Sequence, residues 1–180
     1  MDSTVYQRYV DVGLLFEKDV GGKQECTCYV DSDYAGDLDK RRSTTRYVFT
    51  LSQAPMSWHC TLQSTVALST TKAEYMTLTE TVKEVIWLQS LMDDLGIEQG
   101  FLRVHCDSMS AIYLAKNQVY HARTKHIDVK YHFVWDVHED RDIKMKKIHT
   151  KDNPADMFTK VVLRVKFNHC KNLLQILPVA

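Results

Sequence analysis

Glu25-Cys-Thr-Cys-Tyr-Val-Asp-Ser-Asp33 alternates in side-chain character as a half-buried strand does, and it ends on acidic residues. Thr45 to Ser52 (Thr-Arg-Tyr-Val-Phe-Thr-Leu-Ser) is rich in β-branched and aromatic residues and reads as a second strand. Gln53-Ala-Pro55 turns the chain, and Met56 to Cys60 makes a third. Three strands joined by short links predict an antiparallel meander. The longest helical pattern follows, from about Thr70 to Leu95. Met76, Val82, Val85, Ile86, Leu88, Leu91, Met92 and Leu95 recur there at near-helical spacing, with Gly96 as the stop. Leu102 to Cys106 is then a strand and Ser108 to Lys116 a short helix. Arg123 to about Glu139 is another helix, with Ile127, Tyr131, Val134 and Val137 on one side. Ile143, Met145 and Ile148 mark a last strand. Asn153 caps a final helix with Pro154 at its first position, running with breaks to about Leu174. Upstream, Gly13 to Phe16 reads as a short strand before a Gly21-Gly22 turn. Strands followed by strand–helix alternation predict an α/β fold, a mixed sheet flanked by helices.

At 180 residues, with 44% hydrophobic and 26% charged residues, the chain suits one globular domain. No apolar run reaches the length of a membrane span, and Met1-Asp-Ser-Thr-Val5 lacks a signal-peptide pattern. Five scattered cysteines argue against a disulfide framework and for a reducing compartment. The formal net charge of zero argues against a general polyanion binder. Positive charge is nevertheless clustered in Lys40-Arg-Arg42, His121-Ala-Arg-Thr-Lys-His126 and Lys144-Met-Lys-Lys147. Each cluster is either a solvated face or part of a nucleic-acid-backbone surface.

Four carboxylates organise the chain. Asp31 lies near a strand end, Glu74 at the opening of the long helix, Asp107 after a short strand and Asp156 at a helix start. Carboxylates delivered from several element ends to one point suit hard divalent cations. Each also has a local alternative. Glu74 stands three residues after Thr71, the capping-box spacing. Asp107 suits an N-cap, and Asp156 suits the positive end of a helix macrodipole. Asp31 has an alternative as a polar residue near a turn. All four together favour the metal reading. Zinc is disfavoured, because Cys26, Cys28, His59-Cys60 and His105-Cys106 lack tight paired spacings. A nucleophile elbow and a Gly-rich phosphate loop are both missing.

The same residues resemble the ribonuclease H domain of copia-type retrotransposon Pol polyproteins, as found in plants. The matching stretches are Tyr29-Val-Asp-Ser-Asp-Tyr-Ala-Gly-Asp37, Arg42-Ser-Thr-Thr45, Ser57-Trp58, Gln63 to Thr71, Ala73-Glu-Tyr75, Cys106-Asp-Ser108, His121 to Asp128, Asn153-Pro-Ala-Asp156 and Thr159-Lys160. The resemblance implies an RNase H-like fold, with a mixed sheet of three antiparallel strands and then two parallel ones. It implies that residues 1–24 are the remnant of an upstream reverse-transcriptase segment and 25–175 the nuclease domain. It further implies hydrolysis of RNA in RNA–DNA hybrids with Asp31, Glu74, Asp107 and Asp156 as catalytic metal ligands. They would hold two Mg2+ ions, with Mn2+ as a substitute: one ion generates the attacking hydroxide and the other stabilises the leaving 3′-oxygen. Recognition would rest on backbone shape and the 2′-hydroxyl, with Ser69, Thr70, Ser108, Arg123, Lys125 and His126 as candidate contacts. His149 is a weak candidate for a proton shuttle. The expected partners are a hybrid duplex and the reverse-transcriptase segment of the same polyprotein, in the cytoplasm and without a membrane.

The chain departs from the family at three points. Arg46 stands where glycine is usual, Lys72 where an acidic residue is usual, and Trp135 where arginine is common. Arginine takes up glycine's left-handed conformations at a cost, so Arg46 is expected to strain a turn. These changes keep a second reading open, a catalytically weakened domain that still binds hybrid or duplex nucleic acid.

Overall fold

The structure, a computed structural model, describes residues 12–14, 16, 25–97, 99–116, 143–158 and 162–178. Its elements in chain order are β1 (Val12–Leu14), β2 (Cys26–Asp33), β3 (Thr44–Leu51), β4 (Ala54–Leu62), α1 (Thr70–Asp94), β5 (Leu102–Cys106), α2 (Met109–Lys116) and β6 (Ile143–Lys147). Two 3-10 segments, Thr150–Asp152 and Pro154–Phe158, precede α3 (Arg164–Leu173) and β7 (Ile176–Pro178). The main sheet has five strands in the order β4-β3-β2-β5-β6. β2, β3 and β4 form the antiparallel meander, while β2–β5 and β5–β6 pair in parallel. This is the strand order and direction of the RNase H-like fold. β1 and β7 pair separately as a two-stranded antiparallel sheet.

Alternation along β2 decides what sits on each face of the sheet. Cys26, Cys28 and Val30 join the main core with Met76, Val82, Val85, Leu88 and Met92 of α1. Tyr29, from the other parity, packs with Val48, Ala155 and Leu174 in a second, smaller cluster. Both faces of β2 are therefore covered.

The cap of α1 comes from Ser69, whose Oγ accepts the Lys72 backbone N–H at 3.1 Å. Ser69→Ala is expected to destabilise the protein by about 1 kcal/mol, lowering Tm by roughly 2–4 °C in thermal unfolding. At the other end Gly96 takes φ +70°. Its N–H bonds the Asp93 carbonyl and the Ile97 N–H bonds the Met92 carbonyl, a Schellman closure that explains the glycine. Leu95, grouped with the apolar stripe in the sequence, is the C-cap residue and lies exposed.

The expected final helix is two pieces. Asn153, Pro154, Ala155 and Asp156 are all buried in succession, which leaves no solvent face for an amphipathic α-helix. The chain takes a tight 3-10 turn there, and α3 starts afresh at Arg164. The helix expected over Arg123 to Glu139 lies outside the described residues. All five cysteines are free thiols. Among the described residues no helix is long and apolar enough to cross a membrane.

Candidate metal centre

Parallel pairing of β2 and β5 ends with Val30 beside Cys106, so Asp31 and Asp107 each follow the last pair of that ladder. Asp31 is 3% exposed and lies inside β2, which removes its reading as a turn residue. Glu74, 9% exposed, is the fifth residue of α1. Because Ser69 caps that helix by itself, Glu74 is not the partner in a capping box. Ser108 caps α2 by accepting the Ala111 N–H at 3.3 Å, so Asp107 is not the cap either. The Asp107 carboxylate instead accepts the Thr150 hydroxyl at 2.9 Å, and the Lys147 ammonium donates to the Asp107 carbonyl.

Asp156 is 2% exposed. Asn153 fixes its turn to the sheet: Nδ2 donates to the Val30 carbonyl at 2.7 Å, and Oδ1 accepts the Ala155 N–H at 3.2 Å. The Asp156 Oδ2 is ion-paired with Lys166 of α3.

Ligand atoms of Glu74, Cys106 and Asp107 lie within 4.8 Å of one another, and Asp31 and Asp156 stand outside that group. The Cys106 thiol reaches the Glu74 Oε2 at 4.0 Å. Burial, and after it the Glu74 carboxylate, pushes the thiol far above its ordinary range, so it stays neutral. Glu74 and Asp107 supply carboxylate oxygens and Cys106 a sulfur, so the three side chains together form a group able to hold a metal ion. Cys26 and Cys28 are also buried, and desolvation pushes the Cys26 thiol up to about 12.

Arg46 corrects one expectation. It lies within β3, directly across from Asp31, and it is absent from the left-handed residues Ala35, Arg41, Ser52, Gln53 and Gln175. Its departure from glycine therefore adds a buried side chain, 6% exposed, and no backbone strain. Its Nε donates to the Cys60 Sγ at 3.3 Å. Lys72 is half-buried in the first turn of α1. Ser69 and Thr70 are exposed at the start of that helix. His149 is exposed, and its Nδ1 accepts the Lys151 N–H at 3.1 Å, which caps a 3-10 turn. Arg123, Lys125, His126 and Trp135 lie outside the described residues. Thr150 and Lys166 escaped the sequence reading, since neither belongs to a recognisable spacing. Cys106 was visible but had been weighed with His105 as a zinc pair.

His105 stacks on Tyr29 with ring centroids 5.2 Å apart. Burial, followed by Lys146 and Arg103, lowers its pKa below the ordinary 6.5. The unfolded chain then binds a proton that the fold refuses. Stability is intact above pH 6.5 and falls as the pH drops through and below that value. His105→Phe is expected to shrink the loss of Tm between pH 7.5 and 5.5, measured by thermal unfolding.

A five-stranded mixed sheet in the order β4-β3-β2-β5-β6, with β2–β5 and β5–β6 parallel and helices on its flanks, defines an RNase H-like fold. No family model matches the chain. Among curated proteins it is similar to the retrovirus-related Pol polyprotein from transposon TNT 1-94 of Nicotiana tabacum. The two are 55% identical over 146 residues, 81% of this chain and 11% of that protein. The Pol polyproteins from transposons RE2 and RE1 of Arabidopsis thaliana are each 35% identical, over 170 and 158 residues, covering 94% and 87% of this chain. The chain spans 12% and 11% of their lengths. It is therefore homologous to a segment of plant copia-type retrotransposon Pol polyproteins.

Proposed function

We propose that this segment is a metal-dependent ribonuclease H that hydrolyses the RNA strand of RNA–DNA hybrids during reverse transcription. The supporting observation is the meeting of Glu74 and Asp107, from a helix and a strand end 33 positions apart, with Asp31 following the last β2–β5 pair on the neighbouring strand. The similarity to Pol polyprotein segments agrees with it. Asp31, Glu74, Asp107 and Asp156 would hold magnesium. When bound, the metal supplies Lewis-acid activation of water and charge stabilisation at the leaving oxygen.

The chain's own groups prepare that chemistry. Thr150 orients the Asp107 carboxylate, and Asn153 presents Asp156 from the far face of the sheet. Burial of Asp31, Glu74 and Asp156 keeps competing water away and strengthens their pull on a cation. Exposed Ser69 and Thr70, with exposed Lys144, Lys146 and Lys147 of β6, offer donors to a nucleic-acid backbone without reading bases. The resemblance would give residues 1–24 to the preceding reverse-transcriptase segment, 25–175 to the nuclease and the working location to the cytoplasm, with the paired strands β1 and β7 both falling outside the nuclease range.

Arg46 favours a second reading, a weakened hybrid-binding domain, because it places a buried guanidinium across from Asp31. Labelled RNA–DNA hybrid incubated with Mg2+ and separately with Mn2+ separates the two. Cleavage of the RNA strand, with double-stranded DNA left whole, is the expected result. Binding without cleavage in either metal would overturn it in favour of the second reading.

A further inference from the structure

Asp156 and Asp107 differ in what they hold. The Asp107 carboxylate takes a neutral donor, the Thr150 hydroxyl at 2.9 Å. The Asp156 carboxylate, buried to 2% exposure, takes the Lys166 ammonium, which also lies 3.4 Å from the Thr150 carbonyl. A buried carboxylate is costly to leave without a compensating cation, and Lys166 supplies one from within the chain. Its side chain is 30% exposed, so it has a route outward if something displaces it. Arg46 adds a second fixed positive charge on the face that carries Asp31.

We propose that Lys166 is the resident counter-ion of Asp156, which a divalent cation has to displace before it can use that carboxylate. The inference rests on the metal-centre reading above. It follows that the centre loads in two stages. An ion enters first at the Glu74–Asp107 end, where the Asp107 carboxylate accepts the Thr150 hydroxyl and the Lys147 ammonium is bound at the backbone carbonyl instead. A second enters at the Asp156 end only at higher concentration, as Lys166 swings out. A lysine suits this role because its ammonium is a compact charge on a flexible stem.

The test is a titration of the full chain with Mn2+ alone, without nucleic acid, by calorimetry and by spin-resonance counting of free ion. The wild type is expected to bind one ion and then a second about tenfold more weakly, the size expected for competition with a part-exposed ion pair. Lys166→Met should bring the second affinity to within about threefold of the first and leave the first unchanged, whereas Lys166→Arg should keep the gap. Thermal unfolding checks that each variant is folded, and Lys166→Gln replaces the methionine variant if that one is not. Two equal ions in the wild type would overturn the proposal. So would unchanged affinities in both neutral variants, including the case in which neither they nor the wild type bind metal. A protein that loads in two stages yet never cuts hybrid would refute the ribonuclease reading and leave this proposal standing. One that cuts hybrid while Lys166→Met changes nothing would refute this proposal alone.

Discussion

Asp31→Asn is expected to lower hybrid cleavage by about a thousandfold or more, to the background of the assay. The substitution keeps shape and removes charge at a residue 3% exposed inside the central strand, so it should leave the fold intact. Removing its charge relieves repulsion from the other carboxylates but leaves the buried Arg46 guanidinium across from it less compensated. The two effects oppose, so Tm should change by only a few degrees. Affinity for hybrid should hold or rise, because a negative phosphate meets one carboxylate fewer. Gel cleavage of a labelled hybrid gives the rate, and fluorescence anisotropy of the same hybrid gives the binding. Wild-type cleavage by the variant would remove Asp31 from the reaction. A joint fall in cleavage, binding and Tm would make it a structural residue.

Asn153→Ala should have the largest effect on stability, about 2–3 kcal/mol, or roughly 5–10 °C in Tm. The side chain is fully buried and uses both ends, donating to the Val30 carbonyl and accepting from the Ala155 N–H. Truncation leaves the Val30 carbonyl in an interior where no water replaces the lost donor. It also loosens the 3-10 turn that carries Asp156. Cleavage measured well below the new Tm should therefore fall as well. A Tm within a degree of wild type would show that the turn is held by its apolar packing instead.

The sheet was legible because its strands carry their own pattern. β2 alternates, β3 is β-branched and aromatic, and Leu102 to Cys106 is a short apolar run, so each was bounded to within a residue or two. β4 extends beyond Met56–Cys60 at both ends, from Ala54 within the expected turn to Leu62, and its outer half from Trp58 on is exposed and shows no alternation of burial. The stretch after Asn153 misled because a proline following an asparagine marks a helix start equally well for an α or a 3-10 turn. Only the burial of four consecutive residues decides between them. Within the site, Asp31, Glu74, Asp107 and Asp156 stood out by their positions at element ends. What the sequence did not reveal is which neighbour each carboxylate meets. Thr150 reaches Asp107 across 43 positions, and Lys166 reaches Asp156 from a separate helix. Neither follows from local periodicity. At position 46 the loss of a glycine matters through the side chain and not the backbone, because in a strand it places a guanidinium across from Asp31.

Pairing of β2 with β5 joins Val30 to Cys106, 76 positions later in the chain (106 − 30). The meander and α1 are built from contacts between near neighbours in sequence, so they are the parts able to form early. Closing β5 onto β2 carries the entropy of a long loop and comes with little local help. Until it happens β2 is an open edge, and Asp31 has no Asp107 beside it. On this order Asp107 joins Asp31 only when β5 closes onto β2. Their mutual repulsion is met only after the hydrophobic layer beneath them is in place to hold it.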